Sequence, residues 1–308
     1  MKIKPHPGYE SLWELTNGSS PDDAKNFNRR LDAITNYKPP AGMEIWDFEV
    51  PGPADAPAVP VRLYRDPKAR SAPLLVNIHG GGFVAGGCDR DNHRAAAFAA
   101  GVPCTVLSVE YRLAPGAVFP AQIEDCLSVV QWAYDHASEI GINREKIALL
   151  GTSAGGAIAA GLCLWIRDKG GPVISLQILN YPTLDCKPDS GSVMQFWDDV
   201  PMVKGTGMSK VWGLYLGGFD GTRPSYYAMP ALARDLSGLP PACIVTCEYD
   251  LLRDEGMDYA RRLMGFGIPT ELYSLPRVPH GVDLVPAPLS LWMREGMYMS
   301  LRREFGLL

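Results

Sequence analysis

The chain has 308 residues, of which 46% are hydrophobic and 20% charged, a composition that suits a globular protein with a sizeable buried core. Its 29 basic and 34 acidic side chains leave a formal charge of −5, with neither sign gathered in blocks, so a nucleic-acid footprint and a polybasic membrane patch are both absent. The opening MKIKPHPGYESLWEL lacks the apolar core of a signal peptide, and the most apolar helical stretch, residues 156–166, stops at Arg167 and Asp168, too short to span a bilayer.

The first predicted element is a helix in SSPDDAKNFNRRLDAIT. Ser20 suits its cap, Pro21 its first turn, and Asp22 and Asp23 the positive end of its dipole. Phe27, Leu31 and Ile34 then share one face. From about residue 42 the pattern changes to short β-rich runs: EIWDFEV, VPVRLYR, LLVNIH, TVLSVEY, KIALLG, ISLQILNY, ACIVTCEY and TELYSL. Helical stretches fall near 119–138, 154–168, 255–265 and 288–304. Several of the strands are continuously apolar, which predicts a mostly parallel sheet covered by helices on both faces. Strands that alternate with helices indicate an open α/β sheet, whose sites lie beyond the carboxyl ends of the strands. Residues 187–226 break the alternation and are rich in Met, Trp, Tyr and Gly. They read as an inserted lid, with an ordinary long helical connection as the competing reading.

Seven cysteines, an odd number without regular spacing, do not make a disulfide framework. Cys243 and Cys247 lie in a run that reads as a buried strand, where cysteine acts as a small hydrophobe more often than as a metal ligand. A reducing cytoplasm is the expected location, and no metal site is expected.

Two glycine-rich stretches carry chemistry. KIALLGTSAGGAIAAGL sets Gly151-Thr152-Ser153-Ala154-Gly155 between an apolar strand and a helix, the context of a nucleophile elbow, in which a sharp turn lifts the serine hydroxyl above the sheet. NIHGGGFVAGG, residues 77–87, puts His79 and three glycines directly after another apolar strand. Acyl transfer creates an oxyanion that needs rigid N–H donors, and glycines let backbone amides approach without a Cβ in the way. The expected donors are Gly81, Gly82 and, after the nucleophile, Ala154. His79 is expected to fix the loop rather than to act as a base.

A serine nucleophile needs a base, and the base an orienting acid. His280, in RVPHGVDL, follows the last strand in a Pro/Gly-flanked loop, whereas His6 and His136 read as surface residues and His93 as a helix start. CIVTCEYDLLRDEGMDYA offers four acids. Glu248 is closest to the strand end, Asp254 and Glu255 suit the next helix, and Asp250, in the loop between, is the favoured choice. The chain order Ser153, Asp250, His280 is that of the α/β-hydrolase fold.

HGGGF, VEYRLAPGAVFPAQIEDC, GTSAGG, GLPPACIVTCEYDLLRDEG and PHG, in this order from about residue 60 onward, resemble the hormone-sensitive lipase family of α/β-hydrolases, in its bacterial carboxylesterase branch (family IV) and near its GTSAG-type members. The resemblance implies an α/β-hydrolase fold with a mostly parallel eight-stranded sheet. It implies Ser153, Asp250 and His280 as triad and Gly81, Gly82 and Ala154 as oxyanion hole. It also implies a helical cap made of residues 1–40 and the 187–226 insertion, over a core of 41–186 and 227–308. Three departures stand out: Thr152 where Asp is more frequent, Leu251 in place of the proline after the acid, and Gly116 where Glu is usual.

The expected function is a cofactor-free serine carboxylesterase acting on small, short- to medium-chain esters. The alternatives are an amidase or formamidase with the same triad, and a ligand-binding relative without catalysis. Phe83 with Trp197, Met202, Met208, Trp212 and Tyr215 of the insertion are the expected pocket residues. The expected partner is a small-molecule ester, and a homodimer is left open.

Overall fold

The computed structural model describes residues 3–14, 38–187, 189–218 and 224–308, and in it the eight β-rich runs pair into one sheet. In chain order the strands are β1 (Glu44–Val50), β2 (Val59–Arg65), β3 (Ala72–Ile78), β4 (Thr105–Val109), β5 (Ile142–Thr152), β6 (Leu176–Asn180), β7 (Ala242–Tyr249) and β8 (Thr270–Pro279). Their spatial order is β1-β2-β4-β3-β5-β6-β7-β8. The pairs β1-β2 and β2-β4 are antiparallel, and all the others are parallel. Every residue of β3, β4 and β6 is buried, so the continuous apolar runs mark the centre of the sheet. Each large aliphatic side chain buried there contributes about 1.5–3 kcal/mol. The outer strands β1 and β8 keep exposed positions, as edges do.

The described helices are α1 (Glu10–Glu14), α2 (Cys88–Gly101), α3 (Ala121–Asp135), α4 (Ala137–Ile140), α5 (Ala154–Lys169), α6 (Gly191–Phe196), α7 (Gly205–Leu216), α8 (Arg253–Gly265) and α9 (Pro288–Glu304). Ile123 of α3, Ile158 of α5 and Leu263 of α8 belong to the core on one face of the sheet. Phe98 of α2 and Met297 and Leu301 of α9 belong to the core on the other. The helix expected over residues 20–34 lies outside the described residues. Helix α2 was not among the expected helices beyond its His93. Its sequence, CDRDNHRAAAFAAG, has no apolar stripe to reveal it: it buries charged Asp91 and Arg94 beside a run of alanines, and alanine is the best helix former.

The described residues of 187–226 lie between β6 and β7 in the chain and carry α6 and α7. Val193, Phe196 and Val200 pack on Tyr249 and Leu251, while Trp212 and Tyr215 join the main core. The insertion is therefore seated at two places. Because β3, β5, β7 and β8 run parallel, the loops that follow them, with Gly81, Ser153, Asp250 and His280, open at the same edge of the sheet.

Candidate active site

Strand β5 runs straight into Ser153, and α5 begins at the next residue. Ser153 holds φ 55° and ψ −117°, a conformation that costs a residue with a side chain about 1–3 kcal/mol and persists only where the surroundings enforce it. Here its N–H donates to the Asn180 carbonyl (3.0 Å), and its own carbonyl accepts the N–H groups of Gly156 (2.8 Å) and Thr183 (3.1 Å). The flanking glycines answer to close approach. A Cβ on Gly155 would lie 2.1 Å from the Ile78 carbonyl oxygen, and one on Gly151 would lie 2.2 Å from that of Gly155.

His280 directly follows β8, and its Nε2 lies 2.9 Å from Ser153 Oγ. On its other side Nδ1 lies 2.8 Å from Asp250 Oδ2. The second carboxylate oxygen of Asp250 accepts the Leu252 N–H at 3.0 Å. Asp250 and His280 are both buried, and the Tyr181 ring meets the imidazole edge-on at 4.5 Å. A carboxylate accepting from Nδ1–H leaves Nε2 as the acceptor toward the serine hydroxyl. The other acids are engaged elsewhere. Glu248 accepts the Arg277 N–H (2.7 Å), Asp254 the Ser192 N–H (2.7 Å), and Glu255 the N–H groups of Leu184 (3.0 Å) and Asp185 (3.1 Å). Leu251, in the position where the family resemblance expects proline, packs with Val193 and Phe196 of the insertion.

The glycine loop leaves β3 and folds back on itself, the Gly81 carbonyl accepting the Ala85 N–H at 3.0 Å. A Cβ on Gly81 would stand 2.0 Å from the Ala85 carbonyl oxygen. Among the described residues, the amides of Gly81, Gly82 and Ala154 donate to no protein acceptor. His79 stacks on Tyr111 with ring centroids 4.1 Å apart, and the Tyr111 hydroxyl donates to the His79 carbonyl (2.9 Å). Burial pushes the His79 pKa below the usual imidazole range, so the ring is neutral and its Nδ1–H donates to the Gly80 carbonyl (2.7 Å). That arrangement agrees with a loop-fixing residue. It also explains the VEYRLAPGAVFPAQIEDC run, in which Arg112 is held by Asp125 at 2.7 Å and presents Tyr111 beneath the loop.

Over these groups lies a cavity of about 470 Å³ that reaches both Ser153 and His280. Of the expected pocket residues, Phe83, Met202, Met208 and Trp212 line it. Trp197 does not: it is 42% exposed and covers Gly205, whose N–H donates to its carbonyl (2.7 Å). Tyr215 does not either, because it is buried behind the Phe83 ring.

The polar wall of the cavity has no counterpart among the expected pocket residues. It comes from Arg90, Asp91, His93 and Arg94 of α2 and from Tyr181. Arg94 is buried between Asp91 and Asp283, the latter at 2.8 Å, and also donates to the Tyr181 hydroxyl at 3.3 Å. Asp283 lies three residues beyond His280, so this ion cluster pins the loop that carries the imidazole. No local signal marks such a cluster, since its members meet only after α2, β6 and the last loop have packed together. Among the described residues there is no group of three metal-ligating side chains and no helix long and apolar enough to cross a membrane. All seven cysteines are free, and burial pushes the Cys104 and Cys243 thiols up to about 12, which leaves them protonated and inert.

Comparison with known families places this architecture. The family described as alpha/beta hydrolase fold matches residues 75–284, which takes in the glycine loop, the elbow, Asp250 and His280. The chain belongs to the α/β hydrolase fold family. Within it, the chain falls in the hormone-sensitive lipase branch that its motifs resemble. It is 33% identical to a protein named Esterase LipI of Mycobacterium tuberculosis over 86% of this chain and 84% of that one. It is 39% identical to a protein named Carboxylesterase NlhH of the same organism, over 72% of this chain and 70% of that one. A solved structure titled Bacterial Heroin Esterase superposes with a TM-score of 0.91 at 32% identity, covering 98% of each chain. The α/β-hydrolase sheet, with a helical layer on each face, is thus shared along nearly the whole length.

Proposed function

We propose that this carboxylesterase hydrolyses small, fairly apolar esters through an acyl-enzyme on Ser153. The observation that carries the reading is the hydrogen-bonded chain from Ser153 Oγ through His280 to Asp250, beside three amides that have no acceptor among the described residues. His280 Nε2 takes the hydroxyl proton as Oγ attacks the ester carbonyl. Asp250 holds the tautomer and stabilises the imidazolium that forms. The amides of Gly81, Gly82 and Ala154 meet the oxyanion, a contribution usually worth about 10²–10³ in rate per donor. The imidazolium then returns the proton to the leaving alcohol, and a water activated by the same base releases the acid.

Met202, Met208, Val211, Trp212 and Leu284 give the cavity an apolar wall, which favours short to medium acyl chains over charged ones. The named relatives are esterases, which supports ester cleavage over the amidase alternative. A purely binding relative has no need of an imidazole placed 2.9 Å from the serine. In this reading the insertion, with the N-terminal segment, forms the cap. A homodimer is supported by β8 standing at the sheet edge, with Leu272 exposed on it and exposed Trp292 packed against Tyr273. A cytoplasmic location is supported by the free thiols.

The test is a series of p-nitrophenyl esters from acetate to decanoate, run beside matched anilides. The reading expects hydrolysis of the shorter esters and little of the anilides. Anilide turnover equal to ester turnover would move the assignment to an amidase.

A further inference from the structure

Phe83 follows Gly82 and closes the glycine turn. Its φ of 64° lies in the left-handed region, where a bulky side chain is disfavoured, so something must hold it there. The ring is fully buried and lies flat on Tyr215 of α7, with centroids 3.8 Å apart and planes 9° from parallel. Trp212 tilts against the same ring at 5.2 Å. A Cβ on Gly82 would lie 3.3 Å from the Val211 side chain. One face of α7 therefore abuts Gly82 and Phe83 together. Tyr215 is itself fixed, its carbonyl accepting the Phe119 N–H at 2.8 Å and its ring meeting Phe119 edge-on. The Tyr215 hydroxyl is buried without a hydrogen-bond partner among the described residues. An unmade hydrogen bond is unfavourable, so the flat ring and not the hydroxyl is the useful part of this residue.

We infer that Tyr215 is a positioning residue for the oxyanion hole: stacked under Phe83, it holds the Gly81 and Gly82 amides where the negative charge develops. The inserted segment then serves the chemistry as well as covering the site. The inference rests on the acyl-enzyme reading above. Oxyanion donors work only within a few tenths of an ångström of their hydrogen-bond distance, and a displacement of about 1 Å costs roughly 10²-fold in rate. Removing the ring frees Phe83 to relax from its strained backbone and carries the adjoining amides with it. The loss falls on the transition state, whatever the length of the acyl chain.

The experiment compares Tyr215→Ala and Tyr215→Phe with the parent, using p-nitrophenyl acetate and butyrate and a fluorophosphonate that labels the activated serine. For Tyr215→Ala, kcat should fall about 30- to 100-fold on both esters with KM changed less than about threefold, and the labelling rate should fall in step. Labelling should still reach one phosphonate per chain at its end point, which shows that the chains are folded. Tyr215→Phe keeps the ring and should stay within about twofold of the parent.

The inference is overturned if Tyr215→Ala keeps the parent kcat, or if Tyr215→Phe loses as much as Tyr215→Ala. It is overturned equally if Tyr215→Ala labels a smaller fraction of chains at the parent rate, the mark of a purely structural role. A parent that does not label at Ser153 would instead defeat the acyl-enzyme reading itself.

Discussion

Ser192 and Asp254 cap one another across the join between the insertion and the sheet. Asp254 Oδ2 accepts the Ser192 N–H at 2.7 Å, and Ser192 Oγ, which donates to the Leu251 carbonyl at 2.7 Å, accepts the Asp254 N–H at 3.3 Å. The helix that follows the acid loop thus seats α6. This relationship separates the two aspartates that sequence alone sets side by side. Asp250→Asn should lower kcat on the order of 10⁴-fold, because an amide no longer enforces the Nδ1–H tautomer. Asp254→Asn should stay within about tenfold and chiefly loosen the insertion, since a cap is worth about 1 kcal/mol. Steady-state kinetics on one short ester decide the matter, and the reverse ranking would transfer the orienting role to Asp254.

In the proposed triad Ser153 and His280 act as a unit, so their losses should not add. Ser153→Ala and His280→Ala should each reduce kcat by at least about 10⁴-fold, and the double variant should be no slower than the worse single one. Thermal unfolding of Ser153→Ala should match the parent within a few degrees. Multiplying losses would show that the two groups work separately.

Acyl-chain preference should answer to Met208 and not to Trp197. Met208 lines the cavity, whereas Trp197 is 42% exposed over Gly205. Met208→Ala should raise the ratio of octanoate to acetate turnover several-fold. Trp197→Ala should lower both in proportion, if at all. A changed ratio in Trp197→Ala would mean that the tryptophan reaches substrate.

Stability should carry the signature of Glu255. Burial pushes its carboxyl well above the usual carboxylate range, only partly offset by the Leu184 and Asp185 amides that it accepts. A group whose folded pKa lies above its unfolded value stabilises fully below the unfolded value and loses that contribution as pH rises through the folded one. Glu255→Gln removes the ionisation but leaves one of the two accepted N–H groups facing an amide NH2, so it should be less stable than the parent in acid and should close on it as pH rises from about 5 to 9. Denaturant melts across that range give the difference, and a constant gap would show that Glu255 does not change protonation on unfolding.

The legible parts of this molecule are those that a rigid backbone demands. Gly151 and Gly155 around Ser153, and the glycines after His79, stand out because a Cβ would strike a carbonyl there, and sequence shows such needs directly. The central strands were equally plain, since burial on both faces leaves no polar alternation to confuse. Four carboxylates lie at the end of β7 or beyond it, and sequence favours Asp250 among them only by its place in the loop, because which one meets His280 depends on how that loop turns. Arg94 and Asp283 stayed hidden for a related reason: buried charges look like surface charges until their partners arrive from distant segments. Composition alone points Trp197 and Tyr215 to the pocket, and neither lines it. An aromatic residue in an insertion is as apt to pack the insertion down as to face a substrate.

Covalent trapping tests the central claim most directly. A paraoxon-like organophosphate reacts where an activated serine, its base and oxyanion donors converge, since its phosphoryl group mimics the tetrahedral intermediate. The parent chain should take up one label, and peptide mass mapping should place it on Ser153. Labelling should vanish in Ser153→Ala and slow greatly in His280→Ala, where the hydroxyl has lost its base. A folded parent that binds small esters yet resists the reagent would contradict the account and leave a binding protein in its place.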